Sequence, residues 1–150
     1  MSRSIKHSIE LETPPEETFR LLHTPSEIRH WWGASQAIVI AQTNGIWVGT
    51  WGGSEDHPDY VSAARISDFS PPHRMLLTDF LYESSAPLPF DSSDLTTEFL
   101  VQATDRGSRL WVTQHGFPDE EVADEFFAAC QRGWVDTFEG IRRFVAESRA

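Results

Sequence analysis

The chain has 150 residues, six tryptophans, one cysteine and a formal net charge of −11. That length suits one domain with a substantial core, and 39% hydrophobic with 23% charged residues is ordinary for a water-soluble globular protein. The acidic excess argues against nucleic acid and anionic membrane as partners, and the lone Cys130 excludes an internal disulfide and a cysteine-cluster metal site.

The first twelve residues contain no apolar stretch of the kind a signal peptide needs, and no apolar run approaches bilayer length, so a cytoplasmic protein is expected. Residues 6–12 alternate, with Ile5, His7, Ile9 and Leu11 on one parity, which predicts a half-buried strand. Thr13-Pro14-Pro15-Glu16 reads as a capping box with proline at the first helical position, opening a short helix to about His23. Thr24-Pro25-Ser26-Glu27 repeats the signal for a second short helix carrying Ile28, Trp31 and Trp32 and stopped by Gly33.

Strand texture follows. Residues 37–41 and 46–51 flank the turn Thr43-Asn44-Gly45. Residues 60–69 and 74–83 form two further strands around Ser70-Pro71-Pro72, and 84–94, rich in serine and proline, reads as a mobile hairpin loop. Residues 95–104 and 108–115 are the last strands, joined at Asp105-Arg106-Gly107. From Phe117-Pro118, with acids in the first turn, a long helix begins. Phe126, Phe127, Cys130, Trp134, Phe138, Ile141, Phe144 and Val145 fall within an arc of about 120° on it. A strand, two short helices, six strands and a long helix make an α+β chain with one terminal helix laid on an antiparallel sheet.

That order resembles the START-like superfamily (SRPBCC, birch-pollen-allergen-like), with a particular likeness to the family named for the activator of heat-shock-protein-90 ATPase. The marks are Pro14-Pro15-Glu16 with Phe19, Thr24-Pro25-Ser26-Glu27 leading to Trp31-Trp32, and Phe69-Ser70-Pro71-Pro72 before Leu76-Leu77. Thr113-Gln114-His115-Gly116-Phe117 and Arg132-Gly133-Trp134 complete them. The resemblance covers nearly the whole chain. It implies a helix-grip fold over residues 1–150 as a single START-like domain, with a curved sheet of six or seven strands around the C-terminal helix. It also implies binding of a small apolar molecule, catalysis in some members, and a stress-related chaperone role. The chaperone implication is the weakest, since the eukaryotic activator carries a further N-terminal domain for which 150 residues leave no room.

None of the six histidines forms HxH or HExxH, so neither a metal nor a cofactor is expected. His115, near the end of the last strand, would reach a ligand if Trp111, Thr113 and His115 share the concave side; otherwise it faces solvent. Asp79 lies in an apolar strand, and alternation turns it outward with Thr78, Phe80 and Tyr82 inward; an inward Asp79 would be a candidate acid. Cys130 reads as a small buried residue. Trp47, Gly49 and Trp51 share one parity, with Gly49 leaving space between two indoles. The expected ligand-binding set is Trp31, Trp32, Trp47, Trp51, Phe80, Tyr82, Phe99, Trp111, His115, Phe126, Cys130 and Trp134. These rings either line an open pocket or fill the interior. The expected partner is a small apolar molecule, with an enzyme using His115 or Asp79, or a chaperone partner, as rival readings. A tryptophan-rich edge would equally serve a homodimer.

Overall fold

Period-two alternation carries most of the chain into one sheet. The computed structural model describes residues 2–85 and 88–148. Their order is β1 (Ser2–Leu11), α1 (Pro15–His23), α2 (Pro25–Trp31), β2 (Gln36–Val39), β3 (Ile46–Trp51), β4 (Tyr60–Ser70), β5 (Arg74–Ser84), β6 (Thr96–Thr104), β7 (Gly107–Pro118) and α3 (Asp124–Ser148). The strands form one curved antiparallel sheet ordered β1-β7-β6-β5-β4-β3-β2. The expected α+β helix-grip architecture is therefore present, with boundaries shifted by a few residues. The largest shifts lie at the start of β1 and at Pro118, which ends β7; a 3-10 turn at Glu121–Ala123 then leads into α3.

Helix α3 lies on one face of the sheet. It buries Trp134, Phe138, Ile141 and Val145, each contributing roughly 1.5–3 kcal/mol by leaving water. Phe138 meets the His7 ring of β1, and Trp134 meets Phe99 of β6 edge to face. Beneath it the sheet supplies Ile9 and Leu11 from β1, Val101 from β6, and Leu110 and Val112 from β7. Helices α1 and α2 close one end with Phe19, Leu22 and Ile28.

The two expected capping boxes do not form, because neither threonine hydroxyl caps a helix. Pro14 occupies the N-cap of α1, and the Thr13 hydroxyl turns inward to Thr18 (2.6 Å), which in turn meets Ser108 of β7 (2.6 Å). All three are buried, so the chain of hydroxyls satisfies itself and pins α1 to the sheet. Thr24 ends α1 and begins α2, and its hydroxyl donates to the Arg20 carbonyl at the end of α1 (2.7 Å). Gly33, at φ 73°, stops α2 as expected.

Two irregularities set which side chains reach the inner face. In β5 the register against β4 shifts by one residue between Arg65↔Thr78 and Ala63↔Leu81, and Asp79 sits there at φ 54°. In β7 the register against β1 shifts opposite Ser4, where Gly116 takes φ 95°. Strands β5 and β6 pair only from Arg74–Leu77 against Thr97–Leu100. Beyond that they part, and a 3-10 turn at Ser92–Asp94 stands beside β5. Its Ser92 hydroxyl donates to the Phe80 carbonyl (3.1 Å) and accepts from the Tyr82 amide (3.3 Å). The expected loop is thus tied back to β5 on its carboxyl side, while Ala86 and Pro87 lie outside the described residues.

Candidate functional site: an aromatic pocket beneath the long helix

At 100° per residue, the buried stripe of α3 runs through Trp134, Phe138, Ile141 and Val145, while Phe126, Cys130, Gly133 and Thr137 fall on its flank. Against that flank lies a pocket of about 420 Å³. The helix supplies Phe126, Ala129, Cys130, Gly133, Trp134 and Thr137. The sheet supplies Trp47 and Trp51 from β3, Tyr60 and Ser62 from β4, Leu77, Phe80 and Tyr82 from β5, Thr97 and Phe99 from β6, and Gln114 from β7, with Leu95 just before β6 and Trp32 after α2. Among the described residues no charged side chain belongs to this wall. Its most exposed members, Tyr60, Ala129 and Gly133, mark where it opens.

Four indoles form one end. Trp32 lies 5.5 Å from Trp47, 5.4 Å from Trp51 and 5.6 Å from Trp134 between ring centroids, in tilted or edge geometries that suit aromatic quadrupoles. Three of the four N–H groups are engaged. Trp47 donates to the Leu22 carbonyl (3.1 Å), Trp51 to the Trp32 carbonyl (3.3 Å) and Trp134 to Gln114 Oε1 (2.9 Å). With those donors engaged, Trp47, Trp51 and Trp134 turn carbon toward the space. Tyr82 meets Phe126 edge to face at 6.0 Å at the other end, beside Tyr60.

The polarity of this environment shows in its titratable groups. Burial pushes the Cys130 thiol up to about 12. Burial likewise raises the Tyr82 phenol, with smaller contributions from Cys130 and Tyr60. Both groups are held neutral at physiological pH, and Cys130 has little nucleophilic character there.

Nine of the expected contacts converge on the pocket: Trp32, Trp47, Trp51, Phe80, Tyr82, Phe99, Phe126, Cys130 and Trp134. Three do not. Trp31 stands behind Trp32, stacked on it at 4.9 Å, and donates to the Leu21 carbonyl (3.0 Å) within the core. Trp111 and His115 project from the opposite face of β7, because its inward parity is Ser108, Leu110, Val112 and Gln114. Trp111 donates to Gln102 (2.8 Å) beneath the Lys6 ammonium, and the exposed His115 meets the Ser4 hydroxyl (2.8 Å). Asp79 faces water as expected, paired with Arg65 at 3.0 Å. Gly49 also departs from expectation. A Cβ there would lie 2.5 Å from the Trp51 ring and 3.2 Å from that of Trp47, so the indoles already occupy the space it leaves.

Gln114, Thr97, Ser62, Gly133 and Thr137, with Tyr60, Leu77, Leu95 and Ala129, complete the wall without having been expected there. Gln114 carries no apolar signal, and the parity that it shares with Leu110 and Val112 competes with that of Trp111. Thr137 lies within the α3 arc and Gly133 about 20° beyond it, and neither carries an apolar signal. Among the described residues no group of His, Cys, Asp and Glu is placed to hold a metal ion, and no helix is long and apolar enough to cross a membrane.

The family model described as Activator of Hsp90 ATPase homolog 1-like protein matches residues 12–146. Solved structures share the fold. Protein NE0264 from Nitrosomonas europaea superposes with a TM-score of 0.77 at 15% identity, covering 97% of this chain and 96% of that one. Protein MLL2253 from Mesorhizobium loti gives 0.74 at 17% identity over 97% and 98%. The Aha1 dimer from Colwellia psychrerythraea gives 0.68 at 14% identity over 93% of each chain. No curated protein matches the sequence.

Proposed function

Since the chain belongs to the Activator of Hsp90 ATPase homolog 1-like family, and its long helix spans an aromatic pocket, we propose that it binds a small apolar or aromatic molecule between α3 and the sheet. One observation carries this reading: about 420 Å³ of space walled by indole, phenyl and aliphatic carbon, with no charged lining residue among those described. A pocket of that size and polarity is typical of small-molecule sites, where burial supplies affinity and a few polar groups supply orientation. The rival enzymatic reading named His115 and Asp79, and both lie outside the pocket.

The test is a titration with a neutral fluorescent naphthylamine probe. Saturable enhancement is expected, with an unfolding temperature that rises with probe concentration. Gly133→Phe, which adds a ring at the opening, should abolish both effects while leaving the far-ultraviolet circular dichroism unchanged. Absence of enhancement and of a thermal shift in the parent protein would count against the proposal.

The family description supports a second reading, a chaperone-associated role exerted through the acidic surface. Unchanged ATPase turnover of the cognate chaperone on adding the protein would remove it. The dimer solved for the Colwellia relative suggests looking for a homodimer here, for which exposed Ile38, Ile40 and Ile46 near the sheet edge offer an apolar surface. Light scattering on mixed wild-type and Ile38→Lys samples would decide it.

A further inference from the structure

Two adjacent donors in the pocket wall, on Gln114 and Thr97, lack an acceptor among the described residues. Trp134 Nε1 donates to Gln114 Oε1 at 2.9 Å. An indole N–H donates and never accepts, so it fixes the amide with its oxygen toward Trp134 and its nitrogen toward Thr97. Gln114 Nε2 accordingly donates to Thr97 Oγ1 at 3.3 Å. That bond uses one amide hydrogen of two and uses the threonine oxygen as acceptor. The second amide hydrogen and the Thr97 hydroxyl hydrogen remain, side by side, in the pocket wall. Thr97 is 2% exposed, so bulk water gives its hydroxyl little relief.

We propose that the pocket selects an uncharged, flat apolar ligand bearing one hydrogen-bond acceptor oxygen, which Gln114 Nε2 and Thr97 Oγ1 receive as donors. The inference rests on the binding function proposed above and specifies its ligand. A carbonyl or ether oxygen meets both donors at small desolvation cost. A carboxylate would meet the same donors but would carry a full charge into a wall with no cation among the described residues, and desolvation then outweighs two hydrogen bonds. The net charge of −11 adds a smaller penalty of the same sign. An ammonium ion would likewise leave water for a wall with no anion among the described residues.

Three naphthalenes of nearly one shape test this by quenching of tryptophan fluorescence at pH 7.5: 2-acetylnaphthalene, 2-isopropenylnaphthalene and 2-naphthoate. The ketone should bind about five- to a hundredfold tighter than the alkene, the range a pair of neutral hydrogen bonds provides. The naphthoate should bind at least about tenfold more weakly than the ketone. Thr97→Val keeps the side-chain shape and should reduce the ketone-to-alkene preference while leaving alkene affinity in place; Gln114→Met should do the same from the other donor. A naphthoate as tight as the ketone, an alkene as tight as the ketone, or a preference unchanged in both variants overturns the inference while the pocket stands. Failure of the alkene and the ketone alike removes the binding function too.

Discussion

Two glycines of α3 stand in opposite surroundings, and the contrast gives a direct check on the fold. At Gly133 a Cβ would meet nothing within 4 Å, whereas at Gly140 it would lie 2.7 Å from the Trp31 carbonyl oxygen. Gly133→Ala should therefore stabilise the protein by up to about 1 kcal/mol, the helix preference of alanine over glycine. Gly140→Ala presses on backbone that cannot swing aside and should cost on the order of 1–3 kcal/mol. Urea unfolding of the two variants should move the midpoint in opposite directions; a shared direction would mean that α2 and α3 do not cross where described. The Cys130 thiol supplies a second check. With its ionisation pushed up to about 12 by burial, it is almost wholly protonated at pH 8. Its reaction with a disulfide reagent should be slower than that of glutathione by on the order of a hundredfold or more, and should still be accelerating above pH 9. A plateau by pH 9 would show a polar surrounding in place of the apolar one.

Among the elements, β5 depends most on a single backbone conformation. Leu77 and Phe80 both line the pocket although three positions separate them, which strict alternation forbids. The register shift at Asp79 reconciles them, with φ 54° at a residue that carries a Cβ. Asp79→Gly should be neutral or stabilising by up to about 1 kcal/mol, because glycine adopts that angle freely and the exposed Arg65 pair it gives up is weak. Asp79→Val should lose about 1–3 kcal/mol, since a branched side chain resists positive φ. Thermal unfolding of the pair separates a strained bulge from regular strand, in which valine would be the better residue. The bulge also explains what the chain does and does not reveal. The long helix, the tandem short helices and the inward parity of Trp47 and Trp51 are written in periodicity and in proline and glycine punctuation. The parity of β7 is not, because Trp111 and Val112 are neighbours and both are large. Only the ladder to β1 and β6 decides which of them faces α3, and that ladder includes a bulge at Gly116 with no apolar signature. Pairing of Gln114 with Trp134 joins two strongly separated segments and is invisible to local pattern.

At the scale of the molecule, one helix and one sheet enclose the pocket, and none of its lining residues among those described is charged. The acidic charge sits elsewhere on the surface, so solubility and site chemistry are separated in space. What remains is the short contact between β5 and β6, four residues on each strand. Measured by hydrogen–deuterium exchange, the sheet should show a seam: residues 78–84 should exchange faster than Arg74–Leu77, which has a strand partner on both sides. Phe80 and Tyr82 belong to the seam and to the pocket wall at once. A bulkier occupant therefore displaces that stretch at the cost of the two Ser92 bonds and of no bond between β5 and β6. Affinity along a series of increasingly wide ligands should decline by degrees instead of ending at a fixed width, because the wall is compliant on this side.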